Sequence, residues 1–349
     1  MALKREKALR FQADSAQCLL CPDMGGRIFG ECCGKNLHRI DLECARQPSA
    51  SFNNYGGNNF WPAPEGGKFG CNYRGNEWYV QKSINEQPFQ VVSAGKRAAV
   101  VGKEIKIVNR AGTLLAATMR REFTLLAKPP ECFNKQPLKG FLSYSTVDSF
   151  KVHDAVSAEQ ALVASWTLEQ FEATNDTLSF CVVPNSKSSI NFDFYEHPGD
   201  KIRYYEKGFT YRTDGRRKGQ IGIKARSKAL FIGFIDRGRN LVCLRQNLGP
   251  KDGTFFNIAD NDQPRGPYSA ADEYSIFNSD ETMQAFELET VGSAQIQDNV
   301  LKGSTMTSAT SFAVFENPKH IDDFLDEYLG TIFTPSVWHK AGSKNHRAR

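Results

Sequence analysis

The sequence has no long hydrophobic run, and this absence excludes a class of membrane protein. No stretch of about eighteen apolar residues occurs in the 349-residue chain, so we expect no transmembrane helix and no membrane partner. The beginning of the chain also lacks the apolar segment and the small-residue cleavage site of a secretory signal. As it stands, the sequence therefore predicts a cytoplasmic protein, and a periplasmic location would require a leader that has been removed.

The sequence also lacks a strong excess of charge of one sign. It contains 44 basic and 39 acidic residues, for a formal net charge of +5, and much of that excess lies in 4–7 and 340–349. No basic stripe with interleaved aromatic residues occurs, so we expect no nucleic-acid partner. We expect one domain over residues 1–340 and a basic, disordered tail over residues 341–349.

The nine cysteines do not have the spacing of a disulfide framework. Their number is odd and their spacing irregular, which is typical of reduced thiols in a cytoplasmic protein. Cys18 and Cys21 form a C-x-x-C pair, but Leu19 and Leu20 between them favour a strand over a zinc-binding turn. We therefore expect no bound metal, and nothing in the sequence indicates a cofactor.

Segments of high β-propensity recur along the chain and are separated by Gly, Pro, Asn and Asp. One helix is predicted over Pro318–Leu329, because apolar residues recur at helical spacing until Gly330, and we expect it at a sheet end or edge. Many strands without intervening helices predict an all-β protein of two large, mostly antiparallel sheets with one late helix. The clearest predicted strands are Ala98–Val108, Thr113–Leu126, Thr177–Val183, Ile202–Arg212, Ala229–Ile235 and Met283–Val291.

Three segments together resemble a known superfamily. Tyr55–Gly70 contains a Gly-Gly turn and a proline-rich loop, Asn72–Trp78 contains an aromatic-x-Arg and a Trp, and Phe286–Glu289 lies on a late strand. This combination resembles the aldose 1-epimerase and hexose-6-phosphate 1-epimerase branches of the galactose mutarotase-like superfamily, and the chain is similar to an uncharacterised branch of it. The resemblance implies a two-sheet supersandwich with a sugar-sized cleft on one sheet.

The resemblance also implies a catalytic base. In these families a late glutamate removes the proton of the anomeric hydroxyl while a histidine protonates the ring oxygen, and Glu287 matches the glutamate. Strand alternation places Glu287 and Glu289 on one face and Phe286 and Leu288 on the other. The alternative is a pair of solvated glutamates on an exposed strand face.

The chain departs from the family at the two histidine positions and at the position before the Gly-Gly turn. Where the hexose-6-phosphate epimerases have an Arg before the Gly-Gly turn, this chain has Tyr55. The two family histidines align with Gly70 and Trp166, so neither is present. His153 lies near the predicted central strand and is a possible substitute acid, although a loop histidine bonded to backbone is the simpler interpretation.

The remaining candidate residues suit sugar recognition. A pyranose offers an apolar face to aromatic rings and a rim of hydroxyls to amides, carboxylates and Arg. The loop over 259–268 is polar, and its Asp-x-Asp spacing lacks the further oxygen ligands that calcium needs. The expected substrate-binding residues are Asn58, Asn59, Trp61, Glu65, Arg74, Trp78, Trp166, Gln170, Asp262, Arg265 and Glu289.

Three functions remain open from the sequence. The first is a carbohydrate-binding protein that is non-catalytic or of altered chemistry, which the missing histidines favour. The second is an aldose 1-epimerase-type isomerase that uses Glu287 as its general base. The third is a structural module of a sugar-processing assembly. The first two imply a small-molecule sugar or glycan as the partner.

Overall fold

The computed structural model describes residues 8–49, 52–250, 252–261 and 263–330. Half of the chain is strand and little of it is helix, as the sequence predicts. The predicted basic tail over 341–349 lies outside the described residues. No helix in the described part of the chain is long and apolar enough to cross a membrane.

Strands follow one another along most of the chain, and few helices lie between them. The helices are α1 (Leu42–Arg46), α2 (Lys82–Asn85), α3 (Ser186–Ser189) and α4 (Lys319–Leu329). The strands are β1 (Leu9–Gln12), β2 (Ala16–Cys21), β3 (Arg27–Cys32), β4 (Lys35–Asn36), β5 (Gly57–Ala63), β6 (Tyr73–Arg74), β7 (Glu77–Trp78), β8 (Gln90–Ala94), β9 (Ala98–Val108), β10 (Leu114–Leu125), β11 (Leu138–Ser157), β12 (Ala164–Glu172), β13 (Thr177–Val182), β14 (Ile190–Asn191), β15 (Ile202–Tyr205), β16 (Gly208–Tyr211), β17 (Gly219–Lys224), β18 (Phe231–Asp236), β19 (Leu241–Asn247), β20 (Asp272–Asn278), β21 (Ala285–Val291), β22 (Ser293–Gln297) and β23 (Val300–Phe315).

The strands form two large antiparallel sheets, which confirms the predicted fold class. The front sheet has ten strands in the order β1-β2-β3-β5-β12-β21-β20-β17-β14, with β4 paired to β3. The back sheet has eleven strands in the order β15-β16-β13-β18-β19-β23-β11-β10-β9-β8, with β22 paired to β23. A separate two-stranded hairpin is formed by β6 and β7.

One predicted strand, Ile202–Arg212, is wrong, because the segment is a hairpin of β15 and β16. The chain turns at Glu206 and Lys207, so Tyr205 pairs with Gly208. A Cβ at Gly208 would lie 2.0 Å from the carbonyl oxygen of Cys181, so only glycine fits beside β13. The uniform β-propensity of the segment hides this two-residue turn.

Helix α4 covers the outer face of the back sheet instead of a sheet end or edge. Its apolar stripe, which includes Ile321, Phe324 and Leu325, is buried against outward side chains such as Phe180 and Phe315. The helix ends as predicted at Gly330, whose φ of 70° is in the left-handed region that glycine readily adopts. The outward faces of β13, β18, β19 and β23 are apolar, and this is why the helix lies across the face.

Charged side chains as well as apolar ones cross the space between the sheets. Arg121 on the back sheet pairs with Asp148 at 2.6 Å and donates to the carbonyl oxygens of Gly26 and Asn58 on the front-sheet side. Arg245, also on the back sheet, reaches Glu169 on the front sheet. Buried charges of this kind are tolerated only when paired and hydrogen-bonded.

Candidate functional site

The centre of the front sheet presents one row of polar side chains outward. In the register of β5, β12 and β21, Leu168 lies opposite Asn59 and Glu289, and Gln170 lies opposite Gly57 and Glu287. Because side chains alternate along a strand, Trp166, Leu168 and Gln170 share the outer face, while Thr167 and Glu169 point between the sheets. The sequence-based placement of Glu287 and Glu289 on one face is therefore observed.

A small cleft lies over this row. The Gly-Gly turn forms one wall, and its shape requires glycine. A Cβ at Gly56 would lie 2.1 Å from the carbonyl oxygen of Arg39, and one at Gly57 would lie 2.7 Å from the Phe29 ring. The residues that line the cleft include Arg27, Phe52, Asn59, Trp61, Leu168, Gln170 and Glu287.

Glu287 is held in the cleft by an amide rather than by a direct ion pair. The Gln170 side-chain nitrogen donates to Glu287 Oε1 at 2.6 Å, and Arg39 donates to the Gln170 oxygen at 2.9 Å, which fixes the orientation of the amide. Burial raises the pKa of Glu287, and Gln170, Arg39 and Arg27 offset only part of this effect. The carboxyl group is thus poised to exchange a proton nearer neutral pH than an ordinary glutamate.

Glu289 lies deeper on the same face. It accepts a hydrogen bond from Trp166 Nε1 at 3.0 Å and from the Gln220 amide at 3.2 Å. Burial, and then the charges of Glu287 and Glu65, hold its pKa well above the usual range. Two carboxyl groups of β21 and the carboxyl group of Glu65, which follows β5, therefore influence one another across this face of the sheet.

Aromatic rings form a continuous wall beside the carboxyl groups. The Trp61 ring is 6.4 Å from Trp166 and 5.7 Å from Phe52, and Phe52 is 5.4 Å from Trp78, all edge to face. Trp61 is only 4% exposed, and its indole N–H has no hydrogen-bond partner among the described residues. A buried donor without a partner in the protein is uncommon, and a water or a ligand atom in the cleft can accept from it.

Glu65 lies on the loop that follows β5. Its Oε1 accepts a hydrogen bond from Trp78 Nε1 at 2.9 Å. Burial and then the charge of Asp260 raise the pKa of Glu65 to about 7, although the bond from Trp78 opposes the rise. Asp260 itself accepts a hydrogen bond from the Tyr195 hydroxyl at 2.5 Å.

Several residues expected from the sequence to bind substrate lie elsewhere. Asn58 points between the sheets, where it contacts Arg121 and Tyr144, because it alternates with Asn59. Arg74 is exposed on the β6–β7 hairpin and stacks on Tyr79. Arg265 pairs with Asp193 at 2.5 Å, outside the cleft lining. Asp262 lies outside the described residues.

No histidine among the described residues lines the cleft. His38 lies between the sheets, where its Nδ1 accepts from the Gly30 N–H at 2.9 Å and its Nε2 therefore donates to Glu169 at 2.8 Å. His153, which the sequence suggested as a substitute acid, is on β11 of the back sheet beside Thr118. The histidine half of an epimerase mechanism has no counterpart in the cleft.

Some residues of the site have no sequence signal that could have revealed them. Phe52 precedes the Gly-Gly turn, Arg39 contacts Gln170 across 131 positions, and Gln220 contacts Glu289 across 69. Only the pairing of distant strands brings these residues together. In the described part of the chain, no group of three or more His, Cys, Asp and Glu side chains could hold a metal ion. All nine cysteines are free thiols.

Comparison with known proteins places this arrangement in a known fold. A candidate aldose 1-epimerase of Escherichia coli K12 superposes with a TM-score of 0.51 at 13% identity, covering 88% of this chain and 98% of that one. A galactose mutarotase-like protein of Lactobacillus casei gives 0.47 at 11%, covering 88% and 99%. A GalM/aldose epimerase homologue of C. elegans gives 0.46 at 8%, also covering 88% and 99%.

The structural likeness establishes the galactose mutarotase-like fold. No curated protein sequence matches the chain significantly. The sequence profile of one family, described as a family of unknown function (DUF6786), matches residues 4–330.

Proposed function

The chain belongs to the DUF6786 family, and we propose that it binds a sugar in the cleft over β5, β12 and β21. The observation that carries the proposal is the Trp61 indole N–H, which is buried in the cleft wall without a partner. A ring oxygen or hydroxyl of a sugar is an acceptor of the required kind.

The polar groups of the cleft favour a polyhydroxylated ligand. Glu287 accepts hydrogen bonds, and the Asn59 amide offers both a donor and an acceptor within the same cleft. Small polar groups placed among aromatic walls are the usual composition of a sugar-sized site. The free thiols are compatible with the reducing cytoplasm that we propose as the location.

The test is binding of a panel of free monosaccharides, which includes glucose, galactose, mannose and their N-acetyl and amino derivatives. Saturable binding measured by calorimetry or by saturation-transfer NMR, and weakened by Gln170→Ala, would support the proposal. The matched control is Gln160→Ala, because Gln160 is an exposed residue between β11 and β12. If no sugar binds saturably, the proposed function is wrong.

The second candidate is isomerisation at the anomeric carbon with Glu287 as the general base. The raised pKa of Glu287 favours it, because a base titrating closer to neutrality accepts a proton more readily in the transition state. This candidate needs an acid for the ring oxygen. Since no histidine among the described residues lines the cleft, the acid has to be a different kind of side chain.

A further inference from the structure

We propose that Glu65 is the proton donor that works opposite Glu287, so that two carboxyl groups open and close the ring of an aldose. The inference rests on the proposed sugar-binding function and deepens it. It assigns a role to a residue on the loop after β5, and it replaces the histidine of the related epimerases with a carboxylic acid.

The loop around Glu65 is built so that no histidine fits where the family has one. The sequence resemblance expects a histidine at position 70, but a Cβ at Gly70 would lie 2.3 Å from the backbone oxygen of Glu65. The loop folds back on itself at this point, and the backbone of Glu65 occupies the space that a side chain at position 70 would need. Position 70 therefore has no room for a side chain, and the backbone of Glu65 is packed against it.

Contacts with the neighbouring loop fix the position of Glu65. A Cβ at Gly66 would lie 2.5 Å from the backbone of Asp260, so the two loops touch closely and Asp260 lies beside Glu65. On the other side Trp78 Nε1 donates to the Glu65 carboxyl group at 2.9 Å. Trp78 belongs to the aromatic wall that runs through Phe52 to Trp61 in the cleft. The backbone of the loop and the hydrogen bond from Trp78 thus hold the Glu65 carboxyl group in one place, as preorganised proton transfer requires.

The surroundings of Glu65 suit an acid, and those of Glu287 suit a base. Burial, Asp260 and then Glu287 raise the pKa of Glu65 to about 7, so the carboxyl group keeps its proton at a higher pH than an ordinary glutamate. Glu287 has a donor in Gln170 and the charges of Arg39 and Arg27 nearby, all of which favour its ionised form. Burial raises the pKa of both carboxyl groups, but Arg39 and Arg27 oppose the rise at Glu287, whereas Asp260 adds to it at Glu65. A difference of this kind is what separates an acid from a base in paired catalysis.

The proposed step balances without any further reactant. The ionised Glu287 takes the proton from the anomeric hydroxyl, the bond between C1 and the ring oxygen breaks, and C1 becomes a carbonyl carbon. The protonated Glu65 gives its proton to the ring oxygen, which becomes a hydroxyl. After rotation about the C1–C2 bond the same groups act in reverse, and both recover their starting protonation states.

The pH dependence of the reaction follows from all the groups that face Glu65. The rate should fall as pH rises through the pKa of Glu65 near 7, because the donor loses its proton. The titratable groups whose charges influence Glu65, or are influenced by it, are Asp260, Glu287, Glu289, Lys218 and Tyr195.

The experiment measures the interconversion of freshly dissolved α-D-galactose and α-D-glucose by polarimetry from pH 5 to pH 9, alongside the binding of each sugar. We expect the protein to accelerate the reaction of a sugar that it binds. Glu65→Gln should slow that reaction by about a hundredfold to ten-thousandfold with little change in Kd. The control is Glu122→Gln, a surface glutamate on the back sheet that pairs only with Arg120 among the described residues.

A second variant keeps Glu65 in place. Trp78→Phe removes the hydrogen bond that lowers the pKa of Glu65, so the alkaline limb of the rate profile should move to higher pH. A purely structural role for Glu65 would leave that limb where it is. The variant therefore tests the role even if Glu65→Gln fails to fold.

The outcomes separate this inference from the proposed function. If the sugars bind but the protein does not accelerate their interconversion, the role of Glu65 is wrong and the sugar-binding function stands. If Glu65→Gln keeps the full rate, another acid operates and the inference is overturned. If neither sugar nor any other in the panel binds, the proposed function fails and takes this inference with it.

Discussion

Two glutamates on neighbouring strands of the front sheet have opposite environments. Glu169 on β12 points between the sheets, whereas Glu287 on β21 points into the cleft. The two are close in the sheet, because Glu287 pairs with Gln170, the residue that follows Glu169. Burial raises the pKa of Glu169, but Arg245 and then His38 and Tyr144 more than offset it and bring the pKa to about 2. The pKa of Glu287 is raised instead.

The difference lies in how completely each carboxylate is satisfied. Glu169 receives hydrogen bonds from Arg245, His38, Tyr144 and Thr310, so its charge is part of the structure. Among the described residues Glu287 has one hydrogen-bond donor, Gln170, and it is only half-buried. A buried and fully paired carboxylate stabilises the fold, whereas a carboxylate left partly unsatisfied in a cleft is available to a ligand.

The largest expected effect comes from breaking the interior pair. Arg245→Met leaves Glu169 buried without its main counter-charge and should lower the free energy of unfolding by about 3–5 kcal/mol. Urea denaturation followed by fluorescence measures this loss in the free energy of unfolding. The matched control is Arg120→Met, which breaks an exposed pair with Glu122 and should cost less than about 1 kcal/mol. Equal losses in the two variants would contradict the assigned structural role of Glu169.

The pH dependence of stability should have opposite signs at the two glutamates. The pKa of Glu169 in the folded protein is about 2, below its ordinary value of 4.5. Its contribution to the free energy of unfolding is therefore complete above about pH 4.5 and is lost as pH falls toward 2. The pKa of Glu287 is raised in the folded protein. Its contribution to the free energy of unfolding is therefore complete at a pH below the ordinary pKa of a glutamate, and it is lost as pH rises through the folded pKa.

Urea denaturation of each glutamine variant at a series of pH values tests this contrast. Glu169→Gln should flatten the stability profile on the acid side of about pH 4.5, and Glu287→Gln should flatten it on the other side. Profiles that change in the same direction would show that the two carboxyl groups are not electrostatically distinct.

Replacing the cleft glutamate should change the protein much less than replacing the interior one. Glu287→Gln keeps the shape and removes a charge that burial disfavours, so we expect the free energy of unfolding near neutral pH to stay within about 1 kcal/mol of the original. Sugar affinity should change only modestly, because an amide still accepts a hydrogen bond. A loss of stability comparable to that of Glu169→Gln would indicate a structural role for Glu287.

The smallest expected effect concerns the indole donor of the cleft. Trp61→Phe keeps an aromatic face and removes the buried N–H, so sugar affinity should fall by about threefold to tenfold, the worth of one hydrogen bond. Titration calorimetry measures the change, and Trp78→Phe serves as a comparison because its N–H is already bonded to Glu65. An unchanged affinity in Trp61→Phe would mean that the N–H does not meet the ligand.

The sequence by itself determined the fold class, because turn-bounded strands and a single amphipathic helix allow few other architectures. The two-residue period of a strand also determined which side chains share a face. It places Glu287 with Glu289, but it was not applied to Asn58 and Asn59, which were both predicted to bind substrate although only Asn59 lines the cleft. These are local properties, so they can be worked out from neighbouring residues alone.

Only the tertiary structure decided which charges are satisfied. Glu169 finds Arg245 76 positions away and His38 131 positions away, while Glu65 is brought beside Asp260 by two loops in close contact. The pKa of a carboxyl group depends on burial and on the charges around it, and both come from segments that are distant in the chain. The sequence could therefore identify candidate glutamates for a site. Only the packing of the sheets shows that Glu169 is structural and that Glu287 and Glu65 are available to a ligand.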